Sequence, residues 1–521
     1  MPEKKVTYVA VASDESIHAA YEEALVKIER ELGQRHPMFI GDQDVFSVEE
    51  FEVRSPIDRD IVIGHFQKAD EQHAQLAISE AKKSFYEWSQ SNWRDRMQII
   101  RATAERLNQE KYFLSALITY EVGKNRFEAL AEVGEAVEML RYYCDVYERK
   151  NGYVTSMASD LPNERNTSVM KPHGVWAVIS PFNFPIALAA GMASAALLTG
   201  NTVVFKPTSK ASLTGLRLYH AFIKSGLRAG AINVVTGPGG PFGDVAVAHP
   251  DVDGISFTGS RAVGMWLQRQ FIAKQPYPKP IISEMGSKNP AIVTAYADLD
   301  KAVEGVIKGG FNYGGQKCSA TSRVYVHEVV APQFLDKLRA KIKELAIGDP
   351  RQREVFMGPI IDQEALTTFQ ESSELCKRDG GSIIAGGEVL TGGLYEKGYY
   401  VRPTIVTGLP RGHRLFKDEL FVPFIIIDTF TSLEEALAEA NATEFGLTAG
   451  IFSEQEEEVE RFFTTIQFGV CYSNREGGAT TGAWPGNQSF GGWKGSGSTW
   501  KGAGGSYYLL SYQREQSQSR F

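Results

Sequence analysis

The sequence predicts an α/β protein: two domains built on parallel sheets, with a small β arm. Three observations carry the prediction. From Val175 to Phe257 short apolar runs alternate with helix-length stretches, and a second such series runs from about Ala291 to Tyr472. Strands separated by helices in this way form parallel sheets covered on both faces. Two stretches fit neither series, Gly152 to Val169 and Tyr507 to Gln513.

Taken in order, the N-terminal part of the chain reads as helical after a short strand region. Asp70 to Ser89, Asn92 to Tyr112 and Glu128 to Tyr147 each carry apolar residues at three- and four-residue spacing, with charges between them. Gly152 to Val169 reads as a hairpin inserted before the first sheet. Val175 to Ile179 is a buried strand, with Ile186 to Leu198 as the helix behind it. Val203 to Phe205, a helix from Ser212 to Ser225, Ile232 to Val235, a helix near Asp244 to Ala248 and Ile255 to Phe257 continue the alternation. In the second series the helices are Lys301 to Tyr313, Ala331 to Leu345 and Leu433 to Ala440. Tyr507 to Gln513 reads as an apolar strand that closes the chain. Such a strand needs a partner edge, which a second copy of the chain supplies, so a homodimer or higher homo-oligomer is expected.

Composition narrows the function classes. With 521 residues the length prior is about three domains, and 43% hydrophobic with 23% charged residues is ordinary for a soluble globular protein. A net charge of −8 leaves no basic stripe for nucleic acid. Pro185 to Leu198, the longest apolar stretch, is too short to span a bilayer, and the N-terminus lacks the apolar core of a signal peptide. Four cysteines without a CxxC pair make neither a disulfide framework nor a zinc site. A reducing cytoplasm is the expected setting, with no metal and no membrane partner.

Three places carry chemistry. Cys318 lies in Gly314-Gly315-Gln316-Lys317-Cys318-Ser319-Ala320, between a helix and the strand Arg323 to Val326. Small neighbours leave the thiol open to a carbonyl, and a loop between rigid elements is a frequent seat for a nucleophile. A free cysteine is equally at home in a core, and the local window leaves both readings open. Phe257-Thr258-Gly259-Ser260-Arg261-Ala262-Val263-Gly264 follows a strand and opens a helix. Gly259 would permit a tight turn, and the helix N-terminus would offer N–H groups to a phosphate. Lys206 ends a strand at the carboxyl edge of the sheet, where ligands bind in such folds. An ordinary strand–helix turn and a solvated lysine are the alternatives at these two places.

Together with several further segments, these resemble the aldehyde dehydrogenases. The segments are Asn183 in Ser180-Pro181-Phe182-Asn183-Phe184-Pro185, Lys206-Pro207, the Phe257 to Gly264 turn, and Glu284 in Glu284-Met285-Gly286-Ser287-Lys288-Asn289-Pro290. Cys318, Glu419-Leu420-Phe421-Val422-Pro423 and Ser489-Phe490-Gly491-Gly492-Trp493-Lys494-Gly495-Ser496-Gly497 follow in the family's order. The resemblance spans nearly the whole chain. It implies a Rossmann-like cofactor-binding domain (1–151 and 170–285), an α/β catalytic domain (286–475), an oligomerisation arm (152–169 and 500–521) and a substrate anchor loop (476–499).

It also implies NAD- or NADP-dependent oxidation of an aldehyde through a thiohemiacetal and a thioester on Cys318. Asn183 and the Cys318 N–H would then donate to the oxyanion, and Glu284 would activate the hydrolytic water. Phe182, Lys206, Ser209, Gly259, Ser260, Glu419 and Phe421 would belong to the cofactor site. Two positions depart from the family pattern. Val422 stands where a glycine is usual, which implies a different backbone beside Glu419. Ser209 stands where NAD-preferring relatives often carry a glutamate. With Lys210 next to it, Ser209 leaves room for the 2′-phosphate of NADP.

Thr481-Gly482-Ala483-Trp484-Pro485-Gly486-Asn487-Gln488-Ser489-Phe490 is similar to the anchor loop of the branch that oxidises L-glutamate γ-semialdehyde to L-glutamate in proline degradation. Tyr120 to Asn125 and Gly315 to Ala320 resemble the same branch. Residues 477–505 hold 11 of the 50 glycines, so a ligand can approach their backbone closely. In this reading Gly482 and Ala483 N–H groups with the Ser319 hydroxyl bind the α-carboxylate, Glu128 the ammonium, and Phe184 and Phe490 the aliphatic chain. Glu476 to Thr480 makes the segment before the loop longer than that branch usually has. Another semialdehyde or an aliphatic aldehyde is the competing substrate. The non-enzymatic alternative is an inactive structural relative. A CoA-dependent acyl-transferring relative is opposed by Glu284, which such relatives generally lack.

Overall fold

The computed structural model describes residues 15–478 and 484–521. Among these residues two seven-stranded sheets organise the molecule. The first runs, edge to edge, through Ile281–Met285, Val252–Gly259, Val175–Ile179, Thr202–Lys206, Ile232–Val234, Met38–Ile40 and Gln43–Val45. Its first five strands are parallel. Ranked along the chain, those five stand in the order five, four, one, two, three, the doubly wound dinucleotide-binding arrangement. The order reverses between Val175–Ile179 and Val252–Gly259, which opens a crevice at their carboxyl ends.

Alternate residues explain why both faces are covered. Trp176, Val178, Val203 and Phe205 enter a core with Ala187–Leu198 and the N-terminal helices. Val175, Ala177, Val204 and Ile255 enter a second core on the opposite face with Ala77, Ile78 and Leu267. Helix Ala187–Leu198 is buried all round apart from Leu188, as its uninterrupted apolar sequence requires. Among the described residues no helix is long and apolar enough to cross a membrane.

The second sheet is built in the same way around Asn289–Val293 and Thr321–His327, with Thr404–Thr407, Phe424–Phe430, Thr448–Phe452 and Val470–Ser473. Gly286, Ser287 and Lys288 are all that separates the end of Ile281–Met285 from the start of Asn289–Val293. The carboxyl edge of one sheet therefore abuts the amino edge of the other. A cleft between the two edges follows from this connection.

Three expectations need correction. Helix Glu15–Glu29 precedes the N-terminal strands, burying Tyr21, Ala24, Leu25 and Ile28. Asn92 to Tyr112 does not form one helix: Trp93–Gln109 ends at Glu110, and a separate, almost fully buried helix, Lys111–Val122, follows. The tail is the third. Tyr508–Tyr512 is a single 3₁₀ turn that buries Tyr508, Leu509 and Tyr512. The strand lies just beyond it, in the polar Gln513–Arg520. That strand pairs antiparallel with Arg165–Pro172, which pairs with Val154–Ser156, so the hairpin and the C-terminus form one three-stranded arm. Backbone pairing, not apolar burial, places this strand.

Candidate active site

A cavity of about 680 Å³ fills the cleft, within the range of small-molecule sites. One wall carries Ile179 to Asn183, Lys206, Ser209, Lys210 and Phe257 to Ser260 from the first sheet. The other carries Cys318, Ile361, Asp362 and Glu419 to Phe421, and Glu284 to Gly286 lie at the junction. Asn183, Glu284 and Cys318, expected together from sequence, all open into it.

The Cys318 loop is held from below. Helix Leu299–Phe311 ends, and Tyr313, Gly314 and Gly315 follow in the left-handed region, with φ of 53°, 61° and 66°. A Cβ on Gly315 would meet the Val422 carbonyl oxygen at 2.7 Å, so this turn admits only glycine there. Tyr313 adopts the same conformation anchored by its hydroxyl, which donates to the Val122 carbonyl at 2.9 Å. Asn289 Nδ2 donates to the Cys318 and Ala320 carbonyls at 2.7 and 2.9 Å, and its Oδ1 accepts from Thr448 N–H. Asn289 thus fixes the backbone on both sides of the thiol. The Glu284–Pro290 motif contains this residue, but its role is visible only once the loops meet.

The electrostatics of the thiol depart from expectation. Burial pushes the Cys318 thiol up to about 12, and the Glu419 and Glu284 carboxylates add to this. Among the described residues no cation stands among the main influences on it: Lys317 is engaged by Glu128, and Lys288 is buried without a hydrogen-bond partner, its pKa lowered to about 7 chiefly by that burial. Glu284 is likewise raised, to about 8, by desolvation. A single opposing hydrogen bond comes from Gly492 N–H at 3.3 Å.

The other side of the cavity is lined by groups already engaged. Lys206 is buried rather than solvated. Its Nζ donates to the Pro207 carbonyl at 2.9 Å, and burial lowers its pKa to about 8. Ser209 Oγ donates to the Gly237 carbonyl at 2.7 Å. Lys210 is paired with Asp362 at 2.5 Å across the cleft. Gly259 keeps a negative φ; a Cβ there would meet the Phe257 ring at 2.5 Å, so the glycine serves close packing rather than a left-handed turn. Ser260 caps helix Arg261–Lys274, its Oγ accepting from Val263 N–H. Glu419 accepts from Ser287 N–H at 2.8 Å, and a Cβ on Gly286 would stand 1.8 Å from its other oxygen. Val422 is buried, and Phe421, before it, is in the left-handed region with its ring packed edge-on to Phe182.

Glu128 is buried and is not among the residues that line the cavity. Its carboxylate pairs with Lys317, the residue before Cys318. A second fully buried pair, Lys124 with Glu132 at 2.7 Å, lies alongside, and the Lys124 ammonium sits 3.6 Å from the Phe184 ring centroid. Glu132 also accepts from Ile186 and Ala187 N–H groups, capping the helix that follows Asn183. Ser319 is buried beside the thiol, and Phe490 lines the cavity. Gly482 and Ala483 lie outside the described residues.

The sequence profile of the aldehyde dehydrogenase family matches residues 44–517. A 1-pyrroline-5-carboxylate dehydrogenase of Geobacillus sp. (strain WCH70) is 35% identical over 511 residues, 97% of each chain. One from Bacillus cytotoxicus (strain DSM 22905 / CIP 110041 / 391-98 / NVH 391-98) is 35% identical over 505 residues, 96% of each. Among solved structures, the 1-pyrroline-5-carboxylate dehydrogenase from Thermus with bound NAD superposes with a TM-score of 0.93 at 31% identity. It covers 98% of this chain and 97% of its own.

Proposed function

The chain belongs to the aldehyde dehydrogenase family, and from that premise we propose that it oxidises L-glutamate γ-semialdehyde to L-glutamate with NAD. The observation that carries the reading is the convergence of Cys318, Asn183 and Glu284 on one cavity that also holds Lys206, Ser260, Glu419 and Phe421. The identity of full-length relatives named for 1-pyrroline-5-carboxylate supports the substrate. The Thermus structure with bound NAD and the engagement of Ser209 and Lys210 favour NAD over NADP.

The cavity fits a dinucleotide. Gly286 leaves space where a side chain would collide with Glu419, and helix Gly239–Ala248, at the same rim, has no side-chain cap among the described residues. Lys206, Ser209, Gly259 and Ser260 would hold its adenosine and pyrophosphate portion, and Phe182, Glu419 and Phe421 the nicotinamide ribose. When bound, it supplies the hydride acceptor and a positive charge that this buried thiol otherwise lacks.

The protein's own groups divide the remaining work. Cys318 Sγ, as the thiolate, attacks the aldehyde carbon, and the oxyanion receives hydrogen bonds from the Asn183 amide and the Cys318 N–H; each such donor is worth about 3 kcal/mol of barrier. Glu284, as carboxylate, takes a proton from the water that hydrolyses the thioester. Ser319, Gly482 and Ala483 bind the α-carboxylate, with Phe184 and Phe490 beside the aliphatic chain. Residues 1–151 and 170–285 form the cofactor domain, and 286–475 the catalytic domain. The arm of 152–169 and 500–521, whose outer strands are mostly exposed, suits a homo-oligomer. Free thiols suit the cytoplasm.

The substrate is tested by kcat/KM for glutamate semialdehyde against succinic semialdehyde and simple aliphatic aldehydes. A preference of at least about a hundredfold is expected, because succinic semialdehyde lacks the ammonium group and carries its carboxylate one carbon nearer the aldehyde, and the aliphatic aldehydes lack both groups. Equal use of all three would remove the substrate assignment.

Glu128 has two candidate duties in this reading: as a ligand for the substrate's ammonium, and as the counter-charge that holds Lys317. Glu128→Gln leaves a buried ammonium without its counter-charge, a loss of about 3 kcal/mol of stability. It should therefore lower kcat for aldehydes without an amino group as well as for the amino acid, by loosening the Cys318 loop. An effect confined to the amino acid would leave Glu128 as an ammonium ligand alone.

A further inference from the structure

We propose that Asp362, contributed from the catalytic side of the cleft, sets the nucleotide preference by neutralising Lys210. The inference rests on the dinucleotide-binding reading above.

By sequence, Ser209-Lys210 invites a 2′-phosphate: no glutamate repels one, and a lysine stands ready to pair with it. In the folded chain that invitation is withdrawn. Lys210 Nζ lies 2.5 Å from Asp362 Oδ2 and over the Phe182 ring at 5.3 Å, with both charged residues lining the cofactor cavity. Asp362 is not free to turn away. Its Oδ1 accepts from Ala365 N–H at 3.0 Å and caps helix Gln363–Arg378, so the carboxylate is a fixed charge on the rim. Glu364, in the first turn of the same helix, lines the same cavity. Lys206 does not compensate, because it is buried and donates to its own chain at the Pro207 carbonyl.

The ion pair itself is weak. With side chains 39% and 28% exposed, it costs little to open. The discrimination comes from charge, not from the bond. A 2′-phosphate brings nearly two negative charges to a lysine whose field is cancelled by a neighbouring carboxylate. The neutral 2′-hydroxyl of NAD meets no such penalty. NAD preference is thus imposed from the opposite domain, at a position far along the chain from the ribose-binding segment.

The test is direct titration of NADH and NADPH onto the protein without aldehyde, for the wild type, Asp362→Asn, Lys210→Gln and the double variant. Asparagine caps a helix as well as aspartate does, and thermal melts verify that the variant is folded. Asp362→Asn should improve NADPH binding relative to NADH by about tenfold, the scale of one charge-assisted phosphate contact. The gain should shrink with added salt and vanish when Lys210→Gln is added. An unchanged ratio in Asp362→Asn, or a gain that survives Lys210→Gln, overturns the proposal while leaving the dinucleotide reading intact. If the wild type binds neither nucleotide, that reading fails and takes this one with it.

Discussion

Cys318→Ala abolishes aldehyde oxidation, with kcat falling by about four orders of magnitude or more, as for removal of the nucleophile in other covalent catalysts. The expectation is specific because so little else changes. Cys318 is partly open to the cavity, and its loop is fixed through backbone groups, by Asn289 on the Cys318 and Ala320 carbonyls. Thr448 holds the Ser319 carbonyl in the same way. None of these bonds uses the sulfur. The variant should therefore melt within a few degrees of the wild type and retain nucleotide binding while losing turnover. Cys144, Cys376 and Cys471 provide internal controls: alanine at any of them leaves the chemistry in place, since none lines the cavity. Residual oxidation by Cys318→Ala near the wild-type rate would return this residue to the role of a core cysteine.

Glu284→Gln should stop the reaction after its first half. The glutamine is isosteric, and its carbonyl can keep the hydrogen bond from Gly492 N–H. Hydride formation proceeds once per site, but the thioester persists because no carboxylate is there to draw a proton from water. A burst equal to the site concentration, with steady turnover lowered about 10²- to 10⁴-fold, is the expected record.

The pH dependence carries the same signature. Desolvation raises Glu284 to about 8, and the base is the ionised form, so its active fraction grows as pH rises through that value. Hydrolysis-limited turnover of the wild type climbs across the same interval, and the residual turnover of Glu284→Gln is flat there. Stability has the opposite sign. A raised carboxyl pKa favours the folded state at low pH; this contribution is fully present below the unfolded value of 4.5 and is lost between there and about 8. The melting temperature of the wild type should thus fall over that range more than that of the glutamine variant.

How legible all this is from sequence depends on the kind of interaction involved. The strands Val175–Ile179 and Thr202–Lys206 and the helix Ala187–Leu198 are fixed by continuous apolar runs, and their spacing alone places them to within a residue or two. The turn before Cys318 is legible because Gly314-Gly315 admits a backbone that few other residues allow. The tail is different. Tyr508 and Tyr512 are apolar enough to suggest a strand, but they lie on one face of a short turn and bury against the first core. The strand Gln513–Arg520 is polar and is held by pairing with Arg165–Pro172, a partner more than three hundred residues away that no local pattern reveals.

The same limit explains the site. Asn289 is visible as part of a motif, yet its bonds to the Cys318 loop exist only in three dimensions. The pairs Lys317 with Glu128 and Lys210 with Asp362 join segments that composition and periodicity treat as unrelated. Each changes a functional expectation. The first buries a residue expected to stand open to substrate, and the second pairs the lysine that the sequence leaves open to a 2′-phosphate.

The most direct test of the account is peptide mass mapping of Glu284→Gln protein quenched during reaction with NAD and glutamate semialdehyde. The predicted result is one acyl adduct per chain, carried on the peptide containing Cys318 and absent from Glu284→Gln protein that also carries Cys318→Ala. An adduct on any other residue, or none while reduced nucleotide accumulates, would contradict covalent catalysis at this thiol.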